Sequence, residues 1–238
     1  MGIRRGSIST PIVVDGLVLN MDAANRASYP KTGTTWVDTI NSNNGTLTNG
    51  PIFSEDDGGS IDFDGTDQMV NIGEISVLDI ERTDTKSVFS FCYPEDTSVN
   101  GLSGKSKSGG VFKGWSLRFS SGKIQIFIAN STSNRIYIES SSTYSINNWY
   151  YVGFSYDGSS NANGVTMYIN GVSVPFTIIS NSLTSTTIQS GAPFQIGTSR
   201  ENLNYFNGNI ANAQVYNRAL SSSEILQNYN ALKGRFGL

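Results

Sequence analysis

The stretch Asn207–Ile225, NGNIANAQVYNRALSSSEI, opens on a glycine turn, runs on as a strand and ends in the start signal of a helix. NIANAQVY has the composition of a β-strand. Leu220-Ser221-Ser222-Ser223-Glu224-Ile225 has the form of a capping box, in which Ser221 caps, Glu224 reaches back and Leu220 staples onto Ile225. Ile225, Leu226, Tyr229 and Leu232 then fall on one apolar stripe, and the helix is predicted to run from about Ser222 to Leu232 and stop near Gly234. One strand followed by one short amphipathic helix suits the closing of a layered β-protein.

Upstream, the chain reads as strands and turns. Of its 238 residues only 15% are charged and 25 are glycine, which is strand-and-turn rather than helix chemistry. In WSLRFS, Trp115, Leu117 and Phe119 share one face, and after a Ser121-Gly122 turn KIQIFIA places Ile124, Ile126 and Ile128 on one face. WYYVGFSYDG is expected to bury Tyr150, Val152, Phe154 and Tyr156, and VTMYINGVSVPF turns at Asn170-Gly171. LVLNMD, SIDFDG, QMVNIG and SVFSFCY complete the set, the last stopping at Pro94. No linker or repeat divides the chain, so the expected organisation is an N-terminal arm (1–14), one β-domain (15–232) and a C-terminal tail (233–238).

Several chemistries are excluded or disfavoured. There is no histidine, which removes Ser-His-Asp and Cys-His nucleophiles and His-ligated zinc. Cys92 is alone, so no intrachain disulfide forms. Phosphate-loop motifs and apolar runs of membrane-spanning length are absent. Arg4 and Arg5 precede an apolar stretch cut by Asp15, so no signal peptide is expected, and the chain is expected to fold in a host cytoplasm. The charge is uneven. Residues 55–84 hold ten acids against Arg82, and residues 97–138 hold six bases and no acid. Each block reads first as a solvated face; read functionally, the basic block could meet an acidic glycan or acidic protein surface. Nucleic acid is not an expected partner, because the total is acidic and no aromatic stacking set accompanies the bases.

WYYVGFSYDG, VTMYINGV, FQIG and GNIANAQVYNRALSSSEI, taken in order, resemble the signature series of laminin-G-like jelly-roll domains of the concanavalin A-like lectin/glucanase superfamily. The front half, DGLVLNMDAANRASYPKTGTTWVDTINSNNGTLTNGPIF followed by SIDFDGTDQMVNIG, is similar to laminin-G-like virion proteins of tailed phages. The resemblance spans about Asp15 to Leu232. It implies a two-sheet antiparallel jelly-roll sandwich, all-β apart from one short C-terminal helix. It also implies a non-catalytic virion component, a capsid decoration or a tail or fibre part, located on the particle. The alternative is an adhesion module gripping host surface polysaccharide.

Retaining glucanases of this fold carry E-x-D-x-E on one strand, which sets two glutamates about 5–5.5 Å apart. The motif is missing, the nearest acid pairs (Glu55/Asp57, Asp62/Asp64, Asp79/Glu81) border turns, and no enzyme activity is expected. Where relatives have Asp-Glu in the closing strand this chain has Ala211-Asn212, which puts a calcium site of that kind in doubt. Asp38, Asp62 and Asp64 are the candidate metal ligands, with turn chemistry as their plainer reading, and calcium is the one cofactor they leave open. Trp36, in a Gly/Thr-rich loop, is the candidate glycan contact, whereas Trp115 and Trp149 are expected in the core. The termini are apolar and basic. Ile3, Arg4, Arg5, Ile8, Ile12, Val13, Arg235 and Phe236 are therefore expected to order only against a partner chain: another virion protein or a second copy in a homo-oligomer.

Overall fold

A computed structural model describes residues 10–107, 112–188, 191–201 and 203–238; Ile3, Arg4, Arg5 and Ile8 lie outside them. The first strands are Leu17–Asp22 (β1), Thr35–Trp36 (β2), Gly45–Thr48 (β3), Ile52–Ser54 (β4), Ser60–Asp64 (β5) and Met69–Gly73 (β6). Lys86–Pro94 (β7), Asn100–Ser106 (β8), Gly114–Ser120 (β9), Lys123–Ala129 (β10), Arg135–Ser140 (β11) and Tyr150–Tyr156 (β12) follow. The chain ends with Val165–Ile169 (β13), Val172–Val174 (β14), Phe176–Asn181 (β15), Phe194–Ile196 (β16), Thr198–Arg200 (β17), Leu203–Tyr205 (β18), Asn207–Tyr216 (β19) and the helix Ser222–Leu232 (α1).

Apart from β17 and β18, which pair with each other as a separate ribbon, these strands form two large antiparallel sheets. The first is ordered β14-β13-β12-β7-β19-β5-β4, and the second β15-β11-β10-β9-β8-β16-β6-β3-β2. β19 pairs along one edge with β7; its other edge is shared by β5, through Asn207–Ile210, and β1, through Asn212–Tyr216. Between the sheets lies the main core. Trp115, Leu117 and Phe119 face it from β9, Ile124, Ile126 and Ile128 from β10, and Val152, Phe154 and Tyr156 from β12. The β9–β10 register pairs Phe119 with Ile124 and Trp115 with Ile128. It is set by a two-residue turn in which Ser121 (φ 51°) and Gly122 (φ 74°) are both left-handed, the twist a tight hairpin requires. Cys92 lies in this core with no exposed surface, and burial pushes its thiol pKa far up.

The outer face of the first sheet is also covered. Phe89, Phe91, Tyr151, Tyr168 and Tyr216 form a second apolar cluster with Leu220, Ile225 and Phe236. Strands buried on both faces lose alternation, which is why β7 reads as a dense apolar run and why Tyr151 is as buried as its neighbours. The capping box forms as expected. Glu224 N–H donates to Ser221 Oγ at 3.4 Å, Ser221 N–H to Glu224 Oε2 at 2.8 Å, and Arg218 clamps the same carboxylate at 2.5 Å.

The ends differ from expectation. The α-helix ends at Leu232 as expected, but the chain then turns once more as a 3-10 helix, Lys233–Phe236, which Gly237 (φ 69°) closes. This turn folds Phe236 back onto Phe91 (4.4 Å between ring centroids) and Trp149 (4.5 Å), and brings Arg235 to Asp22 at 2.8 Å. At the other end Ile12 and Val13 pack on the same cluster. Val13 N–H donates to Asn228 Oδ1, and Val13 O accepts from the Tyr216 hydroxyl. Ile12, Val13, Arg235 and Phe236 thus order against their own chain, correcting the expectation that they need a partner. The physical reason is that the outer face of the first sheet offers them an apolar surface.

Candidate functional site

The sheet order places Asn209 of β19 between Tyr93 of β7 and Asp62 of β5, a row of three polar side chains from distant parts of the sequence. Beside this row, on the outer face of the first sheet, opens a cleft of about 250 Å³ lined by Ser54, Asp56, Asp57, Ser60, Tyr93, Glu95, Trp149 and Asn209. Its aromatic wall is Tyr93 against Trp149, with ring centroids 5.6 Å apart, and Phe236 backs Trp149. The Trp149 indole N–H donates to Asp57 Oδ2 at 2.7 Å, and Asn209 Nδ2 donates to Ser60 Oγ at 3.2 Å. Asp57 has left-handed backbone (φ 52°) within the short turn Asp56–Gly58, and that turn aims its carboxylate at the indole.

The electrostatics are acidic and frustrated. Burial raises the pKa of Glu95, and Asp62 and Asp96 raise it further; burial and then Asp64 raise that of Asp62. An aromatic flank with carboxylate, amide and hydroxyl groups around a small hollow suits a ligand with one apolar face and many hydroxyls. Carboxylates accept from hydroxyls, the amide does both, and the ring covers C–H surface. At about 250 Å³ the cleft lies just below the roughly 300–1,000 Å³ of ligand pockets, a size that suits a small group.

Of the candidate ligand and metal residues, Asp62 borders this cleft while Trp36, Asp38 and Asp64 do not line it; Asp57 and Trp149, noted in the sequence for other reasons, do. Trp36 is fully buried in the main core: the two-residue strand β2 pairs with β3 and turns the indole inward, so it is no surface contact. Asp38 is a loop clamp. Its two oxygens accept from the backbone N–H groups of Asn20, Ile40, Asn41 and Asn43. Asp64 accepts from Thr66 N–H in a turn. Among the described residues no three acidic or cysteine side chains gather into a metal-binding group, so Asp38, Asp62 and Asp64 are not brought together. At Ala211-Asn212 the closing strand bulges, and Asn212 Oδ1 takes the Phe91 N–H that the ladder leaves over. Trp149 is buried as expected, in the outer of the two apolar clusters, with its edge on the cleft. Tyr93, Glu95 and Asn209 carried no local signal in the sequence. The acid-rich block did contain Asp56, Asp57 and Asp62.

Two twisted antiparallel sheets, a capping helix and a polar cleft define a lectin-type jelly roll. Residues 64–226 match the Laminin_G_3 family, and the chain belongs to the concanavalin A-like lectin/glucanases superfamily. No curated protein is similar enough in sequence to count as a relative. Solved structures are similar in fold. Trypanosoma rangeli sialidase in complex with sialic acid superposes with a TM-score of 0.64 at 14% identity, over 96% of this chain and 36% of that one. The binding domain of Paraclostridial Mosquitocidal Protein 1 gives 0.66 at 16% identity, over 91% and 52%. Domain 4 of AbnA, a GH43 extracellular arabinanase from Geobacillus stearothermophilus in complex with arabinotriose, gives 0.65 at 16%, over 90% and 98%. The chain spans about a third of the sialidase it matches. Among the described residues no helix is long and apolar enough to cross a membrane.

Proposed function

We propose that this protein is a non-catalytic carbohydrate-binding module that takes a polysaccharide end into the Tyr93–Trp149 cleft. The observation that carries this is the cleft itself, where an aromatic wall meets Asn209, Ser60, Asp57 and Glu95. The likeness to an arabinanase domain in complex with arabinotriose supports the reading at the level of fold. The test is a glycan array followed by calorimetry on the best ligand. Tyr93→Ala and Asn209→Ala should each weaken binding about tenfold or more, the loss of roughly 1.4 kcal/mol, with the melting temperature little changed. Full binding by both variants would sink the reading. Hydrolysis assays on β-glucans and on envelope polysaccharides should give nothing above buffer. Turnover that vanished in Glu95→Gln would make the cleft an active site instead.

The setting we propose is a tailed-phage particle, supported by the resemblance of the front half to phage laminin-G-like proteins. There the module would sit with other virion proteins, and its glycan would be on the host surface. The check is whether the chain is present on purified particles and in how many copies; few copies at a tail would favour adhesion, and hundreds on a head decoration.

A further inference from the structure

On the opposite side of the sandwich, the outer face of the second sheet gathers three arginines from three strands. Arg118 of β9 has its guanidinium carbon 4.2 Å from the Phe127 ring centroid; Arg135 of β11 lies 5.2 Å from Tyr137, and Arg200 of β17 lies 5.5 Å from Phe112. Phe127 and Tyr137 stack on each other at 4.1 Å and Phe112 meets Phe127 edge-on. Strand alternation explains the placement. β9, β10 and β11 turn their isoleucines, Trp115 and Leu117 inward, so Arg118, Phe127, Arg135 and Tyr137 must face out. β17 reaches the patch by lying over β8, where Gly104 leaves the space: a Cβ there would sit 2.3 Å from Ser199 O.

Among the described residues no ion pair within 4 Å involves Arg118, Arg135 or Arg200. The neighbouring Glu139 is already taken by Lys123 at 2.6 Å and by Gln125 Nε2, while Gln125 Oε1 accepts from Arg118 Nε. Nε of Arg135 and of Arg200, and the hydroxyls of Ser106 and Ser116 on the same face, are buried with no hydrogen-bond partner. Burial opposes the charge on Arg118, Tyr137 supports it, and Arg200 and Arg135 oppose it again. Gathering like charges on a rigid sheet without an anion is unfavourable, and an anion bound there would relieve it.

We propose that this face is a second ligand site, taking the anionic group of an acidic saccharide, a uronate carboxylate or a sulfate ester, between Arg118, Arg135 and Arg200 over the Phe127–Tyr137 pair. Guanidinium forks match both oxyanions in two-point geometry. A saccharide rather than nucleic acid is favoured because the cations gather around one aromatic cluster instead of lining a long track, and because the chain is acidic overall, with a net charge of −3. The choice of a saccharide rests on the carbohydrate-binding reading above; the anion site does not depend on the cleft.

The full chain is titrated with polygalacturonate, dextran sulfate, uncharged dextran and a duplex DNA oligonucleotide, at low and at raised salt. Expected is salt-sensitive binding of one or both acidic polysaccharides, the stronger naming carboxylate or sulfate, with none of uncharged dextran. Arg135→Gln should weaken it about tenfold or more, Arg118→Gln similarly, and Arg135→Lys less than Arg135→Gln, with folding verified by melting. Tyr93→Ala should leave it unchanged, so loss of cleft binding and loss of anion binding are separable. Failure of the wild-type chain to bind either acidic polymer, undiminished binding by folded Arg135→Gln, or tighter binding of DNA would each overturn the proposal.

Discussion

Asp62 and Glu95 are carboxylates in surroundings that disfavour their charge, and the sign of the effect is fixed. A folded-state pKa raised above the unfolded value of about 4 means the folded protein holds its proton more tightly. Their contribution is therefore present at low pH and lost as pH rises through the folded pKa. Asp62→Asn removes a half-buried charge repelled by Asp64, so it should raise the melting temperature at pH 7 and give no gain below about pH 4. Scanning calorimetry at the two pH values checks this. Phe236 gives the opposite kind of residue effect. Being 8% exposed, stacked on Phe91 and packed at a tilt against Trp149, it should cost about 3 kcal/mol on truncation to alanine. A urea midpoint unchanged in Phe236→Ala would mean the tail does not close the outer cluster.

Among elements, α1 hangs on its first turn. Ser221→Ala should cost about 1 kcal/mol. Arg218, burial and the Ser221 groups between them leave the Glu224 pKa lowered to about 2. This lowered value works in the reverse sense to Asp62: the stabilisation is present above the unfolded carboxylate value and is lost as pH falls towards about 2. Glu224→Gln should flatten that acid limb of the stability curve. Elements with a local signature were readable in the sequence: the β9–β10 and β13–β14 hairpins by alternation and turn residues, β19 and α1 by strand composition and capping box. β8, NGLSGKS, was not, because its glycines and serines make a strand only where another segment lies over it. Trp36 was misread because two residues of strand leave no period to follow. The cleft was illegible for a different reason. Tyr93, Asn209 and Asp62 are neighbours only through the β7-β19-β5 order, a property of the sheet and not of any segment.

For the whole molecule, the two ends of the chain meet on one surface. Ile12 and Val13, Phe236 and the helix share the outer cluster of the first sheet, so residues 12 and 13 of the N-terminal arm belong to the fold. A chain starting at Asp15 loses the Val13 bonds to Asn228 and Tyr216 and should unfold about 2 kcal/mol more easily, one net hydrogen bond being worth about 1 kcal/mol. Equilibrium urea unfolding of the two lengths decides it, and equal midpoints would refute it.

The lone thiol supplies a readout for such experiments. Cys92 pairs with Tyr150 and Ile210 in the middle of the first sheet and has no surface of its own. Only a thiolate attacks a disulfide reagent, and this sulfur is both shielded and held protonated. Its modification must then wait for the sandwich to part, so the rate of colour release from an aromatic disulfide counts openings of the two sheets. One stoichiometric signal, with no second cysteine to confuse it, turns the untouched wild-type chain into its own clock of excursions from the native state.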